Sequence, residues 1–154
     1  MRYTLLISII ALLFIGCKKD KYTTAPQISF KSIKPDVWYS SNINPYEGPL
    51  LTIHLTDSEG DFGFADNKDT SYVYVKNITI PPYKIDSLKF PSLTSLNTKN
   101  LNVDVSVMIR NLLQGSGRPK PYVDTLYFEV YVKDFAKNKS NVITTDKPVY
   151  YVVQ

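Results

Sequence analysis

The densest group of side chains with coordination chemistry is an acidic stretch in the first half of the chain. Residues 57–69 hold five of the 14 carboxylates and a single base, Lys68. The acidic residues are Asp57, Glu59, Asp61, Asp66 and Asp69. Oxygen ligands at alternating positions suit Ca²⁺, which takes about six to eight of them. The stretch departs from the EF-hand loop, because Phe62 stands where that loop needs glycine and Lys68 where it needs its closing glutamate.

Two interpretations of this acidic stretch stay open. In the first, Asp57, Glu59 and Asp61 join a distant carboxylate, Asp134, in a calcium site of the cadherin type. In the second, the aspartates and glycines satisfy local backbone groups in a solvated turn.

Catalytic chemistry finds little support in the rest of the sequence. His54 is the only histidine and falls on the outward phase of a predicted strand, so we expect it at the surface. No second histidine or cysteine can complete a zinc site with it, and no motif supplies a nucleophile for a Ser-His-Asp triad. A carboxylate pair for glycoside hydrolysis would need a cleft, for which this short chain has no long insertion. We therefore predict that the protein is not an enzyme, and a small hydrolase is the weakest alternative.

Aromatic side chains offer a binding chemistry instead. Trp38, Tyr39 and the outward-facing Tyr127 and Tyr131 could stack on sugars. Aromatic residues on strands also pack across neighbouring strands and stabilise a sheet. We favour cross-strand packing, with Trp38 in the core.

The N-terminus has the pattern of an export signal. Arg2 supplies a positive charge, and Leu5 to Phe14 form an apolar run too short to span a bilayer as a mature helix. The sequence Leu13-Phe14-Ile15-Gly16-Cys17 resembles the lipobox of bacterial lipoproteins. That resemblance implies a signal peptide over residues 1–16, a lipid on the Cys17 sulfur, and a polar tether over residues 17–26. Lipidation also explains why the chain has a single cysteine.

The resemblance extends to the location of the protein. Lys18, rather than aspartate, follows Cys17, which by the sorting rule of enteric bacteria favours the outer membrane. The start Cys-Lys-Lys-Asp-Lys resembles that of small lipoproteins of the Bacteroidota. Removal of residues 1–16 takes away one base, Arg2, and leaves 17 basic against 14 acidic groups. The bases form no stripe, so we expect membrane contact through the lipid and no binding to nucleic acid.

Period-two patterns dominate residues 27–154 and predict an all-β domain. Apolar and polar residues alternate clearly in three segments, around 51–56, 101–110 and 125–133. Weaker patterns lie at Ile28 and Phe30, over 72–80, and from Val149 to Val153. One buried and one wet face on each strand indicate antiparallel sheets. We predict an immunoglobulin-like antiparallel β-sandwich of about seven strands.

Two short motifs strengthen this expectation. The stretch 132–141, Val-Lys-Asp-Phe-Ala-Lys-Asn-Lys-Ser-Asn, is similar to the "D-x-A-G-N-x-S" turn near the end of bacterial immunoglobulin-like domains, with Lys137 in place of glycine. The stretch 55–63 resembles the "D-x-D-G-D-x-G" sequence of Bacteroidota lipoproteins. Asp86-Ser87-Leu88 and Asp124-Thr125-Leu126 resemble the O-glycosylation acceptor of that phylum, which requires Ser87 and Thr125 to be exposed.

Together these observations predict a lipid-anchored, non-catalytic module of the cell envelope. It would bind a partner protein or support an envelope complex. A glycan-binding accessory lipoprotein is the alternative.

Overall fold

The structure is a computed structural model that describes residues 24–63, 70–90 and 99–154. Cys17 lies outside the described residues, as do Asp66 and Asp69. Within them the chain forms ten strands and one 3-10 turn, Arg110–Leu112. The strands are β1 Gln27–Lys34, β2 Val37–Tyr39, β3 Leu50–Asp57, β4 Tyr72–Asn77, β5 Ile85–Lys89, β6 Leu101–Met108, β7 Tyr122–Leu126, β8 Phe128–Lys133, β9 Ile143–Thr144 and β10 Val149–Val153. No helix in the described part of the chain is long and apolar enough to cross a membrane.

The first sheet has the order β1-β3-β6 and is antiparallel throughout. Its central strand β3 buries Leu51, Ile53 and Leu55 completely, as the alternation predicts. A bulge between Phe30 and Ser32 shifts the register of β1. For this reason Ile28 and Ile33 both face the core although five positions separate them.

The second layer consists of two sheets that share continuous chain. One has the order β5-β4-β8-β9, and the other has the order β2-β10-β7. The chain passes from β7 into β8 with Tyr127 alone between them, and β9 and β10 follow each other in the same way across a short break. Counting each broken pair as one strand reduces the ten strands to eight. The eighth, beyond the seven that the sequence predicts, is the short edge strand β2, which pairs in parallel with β10.

The connections cross between the layers in the immunoglobulin manner. β3 leads across to β4, β5 leads back to β6, and β6 leads across again to β7. Buried apolar side chains from both layers form one core, in which Val73 and Val75 of β4 and Val130 and Val132 of β8 are fully enclosed. The predicted all-β, immunoglobulin-like sandwich is confirmed.

Two loops at opposite ends of the sandwich have well-defined polar anchors. At the start of β7, the Gly117 N–H donates to the Tyr122 hydroxyl at 3.1 Å. Nearby, buried Asp124 accepts hydrogen bonds from the Ser116 N–H at 2.6 Å and from Arg118 at 2.6 Å. At the other end, the Asn141 side-chain amide forms two hydrogen bonds with the backbone of Ile28. Its Oδ1 atom accepts one from the Ile28 N–H at 2.7 Å, and its Nδ2 atom donates one to the Ile28 carbonyl at 2.9 Å. This last pair joins the first strand to the β8–β9 turn.

The β8–β9 turn keeps its shape although the sequence lacks the usual glycine. Lys137 occupies that position with φ of 69°, in the left-handed region. A side chain with a Cβ atom pays about 1–2 kcal/mol for this conformation. Lys137 therefore stores strain in the turn.

Lys137→Gly should release this strain and raise the free energy of unfolding by about 0.5–1 kcal/mol, after the entropic cost of glycine in the unfolded chain. Urea unfolding measures the change. Asn100→Gly is the matched control, because Asn100 also has a positive φ of 56° but asparagine tolerates it. A gain at Asn100 equal to or larger than that at Lys137 would contradict the assignment of strain.

Candidate functional sites

The acidic stretch begins inside the protein rather than in a solvated turn. Asp57 is the last residue of β3 and is completely buried. Its Oδ2 atom accepts a hydrogen bond from the Gly60 N–H at 2.5 Å. Gly60 has φ of 65°, which glycine adopts without strain. The backbone therefore curls around one oxygen of the Asp57 carboxylate.

The same loop is joined to the β8–β9 turn. The Asp61 carbonyl accepts a hydrogen bond from the Phe135 N–H at 3.0 Å, and Asp61 Oδ2 accepts one from the Ala136 N–H at 3.2 Å. This places Asp134, also fully buried, at the same end of the sandwich. We call this end, defined by Asp57, Glu59, Asp61 and Asp134, the acidic pole.

The other three acids of the pole act electrostatically on Asp57. Burial raises the pKa of Asp57, and the charges of Asp61, Asp134 and Glu59 raise it further. The Gly60 hydrogen bond opposes the increase. Both Asp134 oxygens accept hydrogen bonds from Asn138, from its N–H at 2.7 Å and its side-chain amide at 2.8 Å. Asp134 thus stabilises the β8–β9 turn and contributes negative charge to the acidic pole.

The acidic pole and the adjoining Ser71 contain unsatisfied oxygen atoms. Ser71 lies at this end because its neighbour Tyr72 pairs with Lys133, the neighbour of Asp134. Asp57 Oδ1, Asp61 Oδ1 and Ser71 Oγ are buried and have no hydrogen-bond partner. Within the described residues, no three side chains of the His, Cys, Asp or Glu types are grouped so that they could hold a metal ion by themselves. Any cation here would need backbone, hydroxyl or water oxygens in addition to carboxylates.

His54 lies on the outward face of the first sheet, as its strand phase predicts. Its Nδ1 atom is 2.9 Å from Asp104 Oδ1, and Lys31 contacts the other oxygen of the same carboxylate. In register, Ser29, His54 and Asp104 stand side by side on β1, β3 and β6. The His54 and Asp104 side chains are about 40% exposed, at 41% and 40%. The group is open to water, whereas a triad works in a water-excluded site.

The outward tyrosines pack against each other, as expected for cross-strand aromatic residues. Tyr74 and Tyr131 are stacked with ring centroids 4.7 Å apart and an interplanar angle of 7°. Lys139 Nζ lies 4.1 Å from the Tyr131 ring centroid, and Lys133 Nζ lies 5.6 Å from that of Tyr74. Because these neighbours occupy the ring faces, the pair is poorly placed to stack on a sugar.

Trp38 is buried, as predicted, but it also lines an open cavity. The cavity has a volume of about 330 Å³ and lies near the junction of β3 and β6 that is farthest from the acidic pole. Tyr46, Glu47, Leu50 and Met108 form much of its wall. Tyr46 is 86% exposed, so one wall of the cavity is an aromatic side chain that extends into solvent.

An exposed apolar surface, which the sequence analysis did not identify, covers the outer side of β2, β10 and β7. Val37 pairs with Tyr150, and Tyr39 pairs with Val152, which in turn pairs with Val123. Four of these five side chains are 40–50% exposed. We call these residues the apolar face. Its signal was hidden because β2 has only three residues and its pairing with β10 is a long-range contact.

The two proposed glycosylation residues meet the exposure requirement. Ser87 is exposed on β5, opposite Tyr74. Thr125 is exposed on β7, opposite Tyr150 at the rim of the apolar face. Glycosylation at either position stays a prediction.

Comparison with known proteins finds no family model that matches the chain, no curated protein similar to it in sequence, and no solved structure similar to it in fold.

Asp104 gives a pH-dependent prediction. Hydrogen bonds from Lys31 and then His54 lower its pKa below the ordinary 3.8. A lowered pKa contributes stability above the unfolded pKa, and that contribution is lost as the pH falls through the folded value. Asp104→Asn should therefore lower the melting temperature at pH 7 by no more than about 3 °C, because exposed ion pairs are weak. Once the pH has fallen below the lowered pKa of the folded state, the two proteins should melt together.

Thermal melts from pH 2 to 8 measure this difference, and Asp146→Asn is the control because Asp146 is exposed outside the cluster. A deficit for Asp104→Asn that stays constant across this range would show that the effect is not electrostatic.

Proposed function

We propose that the protein is a lipid-anchored, non-catalytic binding module of the bacterial cell envelope. The support for the anchor is the lipobox-like sequence ending at Cys17 and the single cysteine. Two or three acyl chains, at about 0.8 kcal/mol for each buried methylene, would hold the chain firmly at a membrane. The outer membrane is the location that Lys18 favours.

The fold would give an anchored molecule a definite orientation. β1 begins at Gln27, which pairs with Thr56 beside Asp57, so the tether would enter the domain at the acidic pole. The nine residues 18–26 can span at most roughly 30 Å. The acidic pole would therefore stay near the membrane, while the other end of the sandwich would point away from it.

The apolar face is the observation that carries the binding function. Monomeric proteins rarely expose contiguous apolar patches of more than roughly a few hundred Å², and patches above that size mark interaction sites. Here valine and tyrosine side chains from three adjacent strands form the patch, and Thr125 is the polar residue beside them. Its aromatic and aliphatic surface suits a protein partner, since tyrosine is enriched at the cores of protein interfaces. We propose an envelope protein with a complementary apolar surface.

A glycan is the second candidate ligand, and the Trp38 cavity favours it. Trp38 and Tyr46 supply aromatic surface, and Glu47 supplies a carboxylate for sugar hydroxyls. The volume of about 330 Å³ lies at the small end of the range for ligand sites. The cavity also lies on the side of the domain that would face away from the membrane.

The anchor is tested by Cys17→Ser. The substituted chain should incorporate no radiolabelled palmitate and should leave the membrane fraction, because a thioether-linked lipid needs the cysteine sulfur. Met108→Leu, which leaves the signal unchanged, is the processing control. Palmitate incorporation by the Cys17→Ser chain would overturn the anchor.

The two candidate ligands are separated by two variants. A photo-crosslinking residue at Val123 should give a discrete protein adduct in living cells, and the adduct should disappear when Val37→Glu places a charge on the apolar face. The matched control carries the crosslinker at Val142, which is 45% exposed but lies outside the apolar face. Equal adducts at both positions would contradict a specific apolar interface.

In parallel, the purified chain is tested on immobilised envelope polysaccharides. Binding that Tyr46→Ala abolishes and Val37→Glu leaves intact would establish the glycan candidate in place of the protein partner. The absence of both polysaccharide binding and specific adducts would overturn the proposed binding function.

A further inference from the structure

The acidic pole and the adjoining Ser71 hold every buried polar side-chain atom without a partner that the described residues contain. These atoms are Asp57 Oδ1, Asp61 Oδ1 and Ser71 Oγ. All three are oxygens, on the last residue of β3 and on two residues of the connection that leads from it to β4. An unpaired buried acceptor costs about 1–3 kcal/mol, and more if it is charged. Three such atoms in one loop call for a common explanation, and a bound ion is one that native proteins use.

Within the described residues, three donor residues at this end of the sandwich bond to other carboxylate oxygens. Gly60 donates to Asp57 Oδ2, and Ala136 donates to Asp61 Oδ2. Asn138 donates to both oxygens of Asp134. The three ion pairs in the described part of the chain involve Asp104 and Asp124, not these carboxylates. The β8–β9 turn contains two lysines: Lys137 has its Nζ atom 3.5 Å from the Thr70 carbonyl, and Lys139 has its Nζ atom 4.1 Å from the centroid of the Tyr131 ring.

Negative charge therefore accumulates at a buried position, and no ion pair within the described residues neutralises it. Asp57 is fully enclosed, and Asp61, Asp134 and Glu59 lie close enough to repel its charge. Burying a charge without a partner is strongly unfavourable, so such groups pair, bind a metal or become neutral. An oxygen-only environment without histidine or cysteine selects a hard cation over zinc.

From these observations we infer that the acidic pole binds one Ca²⁺ ion, with Asp57 Oδ1 and Asp61 Oδ1 as its carboxylate ligands. Ser71 Oγ, backbone carbonyls and water are the further oxygens available to complete a set of about six to eight. Asp134 and Glu59 contribute negative charge around the ion. Two carboxylates with neutral oxygens are compatible with the lack of a three-acid cluster. Ca²⁺ is favoured over Mg²⁺, because Mg²⁺ demands near-octahedral geometry and keeps several waters.

The test uses the full chain purified in detergent, with its divalent ions removed by chelation and then replaced. Isothermal titration with CaCl₂ should give one site per chain, and 2 mM Ca²⁺ should raise the melting temperature by at least about 3 °C, because a ligand of the native state stabilises it. Equimolar Mg²⁺ should raise it less.

Variants connect the response to the inferred ligands. Asp61→Asn should lose both the heat and the shift of melting temperature, whereas Asp146→Asn, which removes an exposed charge elsewhere, should keep both. Asp57→Asn should also lose them, and its melting temperature in chelator should not fall below that of the unsubstituted chain, since the change removes a buried charge. This second measurement separates loss of binding from loss of folding.

The inference is overturned if the unsubstituted chain shows no Ca²⁺ heat and the same melt in chelator and in Ca²⁺. It is also overturned if Asp61→Asn and Asp146→Asn respond to Ca²⁺ equally. Neither result bears on the apolar face, which is tested by crosslinking.

Discussion

Burial of alternate side chains between two sheets is the constraint on which the whole structure depends. Leu51, Ile53 and Leu55 from one layer and Val130 and Val132 from the other are completely enclosed. Because the side-chain period of a strand is two, a slip of one residue would expose this entire set. The registers of β3 and β8 are therefore firmly fixed by the core. Every outward residue is fixed in the same step, including those with no stabilising role of their own.

The outer surfaces differ in how they use this fixed arrangement. On β4 and β8, tyrosine and lysine side chains pack against one another, as in the stacked Tyr74–Tyr131 pair. On β2, β10 and β7, the outward valines and tyrosines have no comparable cover and stay half exposed. At the acidic pole the same sheet geometry directs Asp57 inward, because it continues the buried phase of β3. The apolar face and the inward position of Asp57 thus follow from strand phase, whereas Glu59, Asp61 and Asp134 belong to the connections that follow β3 and β8.

Strand phase is also what the sequence predicts best. The alternations of β3, β6 and β8 and the core position of Trp38 were all predicted and are confirmed. The predicted strand over 72–80 was wrong at its end, because Asn77 turns its side chain inward to bind the Leu112 carbonyl and the Thr79 N–H. β5 was missed, since its residues are exposed or half-buried at an edge and carry no strong pattern. The sequence left open whether Asp57 lies near Asp134 or in a solvated turn, because the proximity of the two residues depends on contacts between distant segments.

Asn141 has a mechanical consequence. Its side-chain amide forms two hydrogen bonds with the backbone of Ile28, which is the second residue of β1 and lies 113 positions away in sequence. Were the chain held by a lipid at one end and by a partner on the apolar face, tension would enter the domain at Gln27. The first bonds loaded would be those of Ile28 with Asn141 and the antiparallel ladder between β1 and β3, pulled along their length and sharing the force. A single side chain near the tether would then add to the load that the module bears before its first strand detaches.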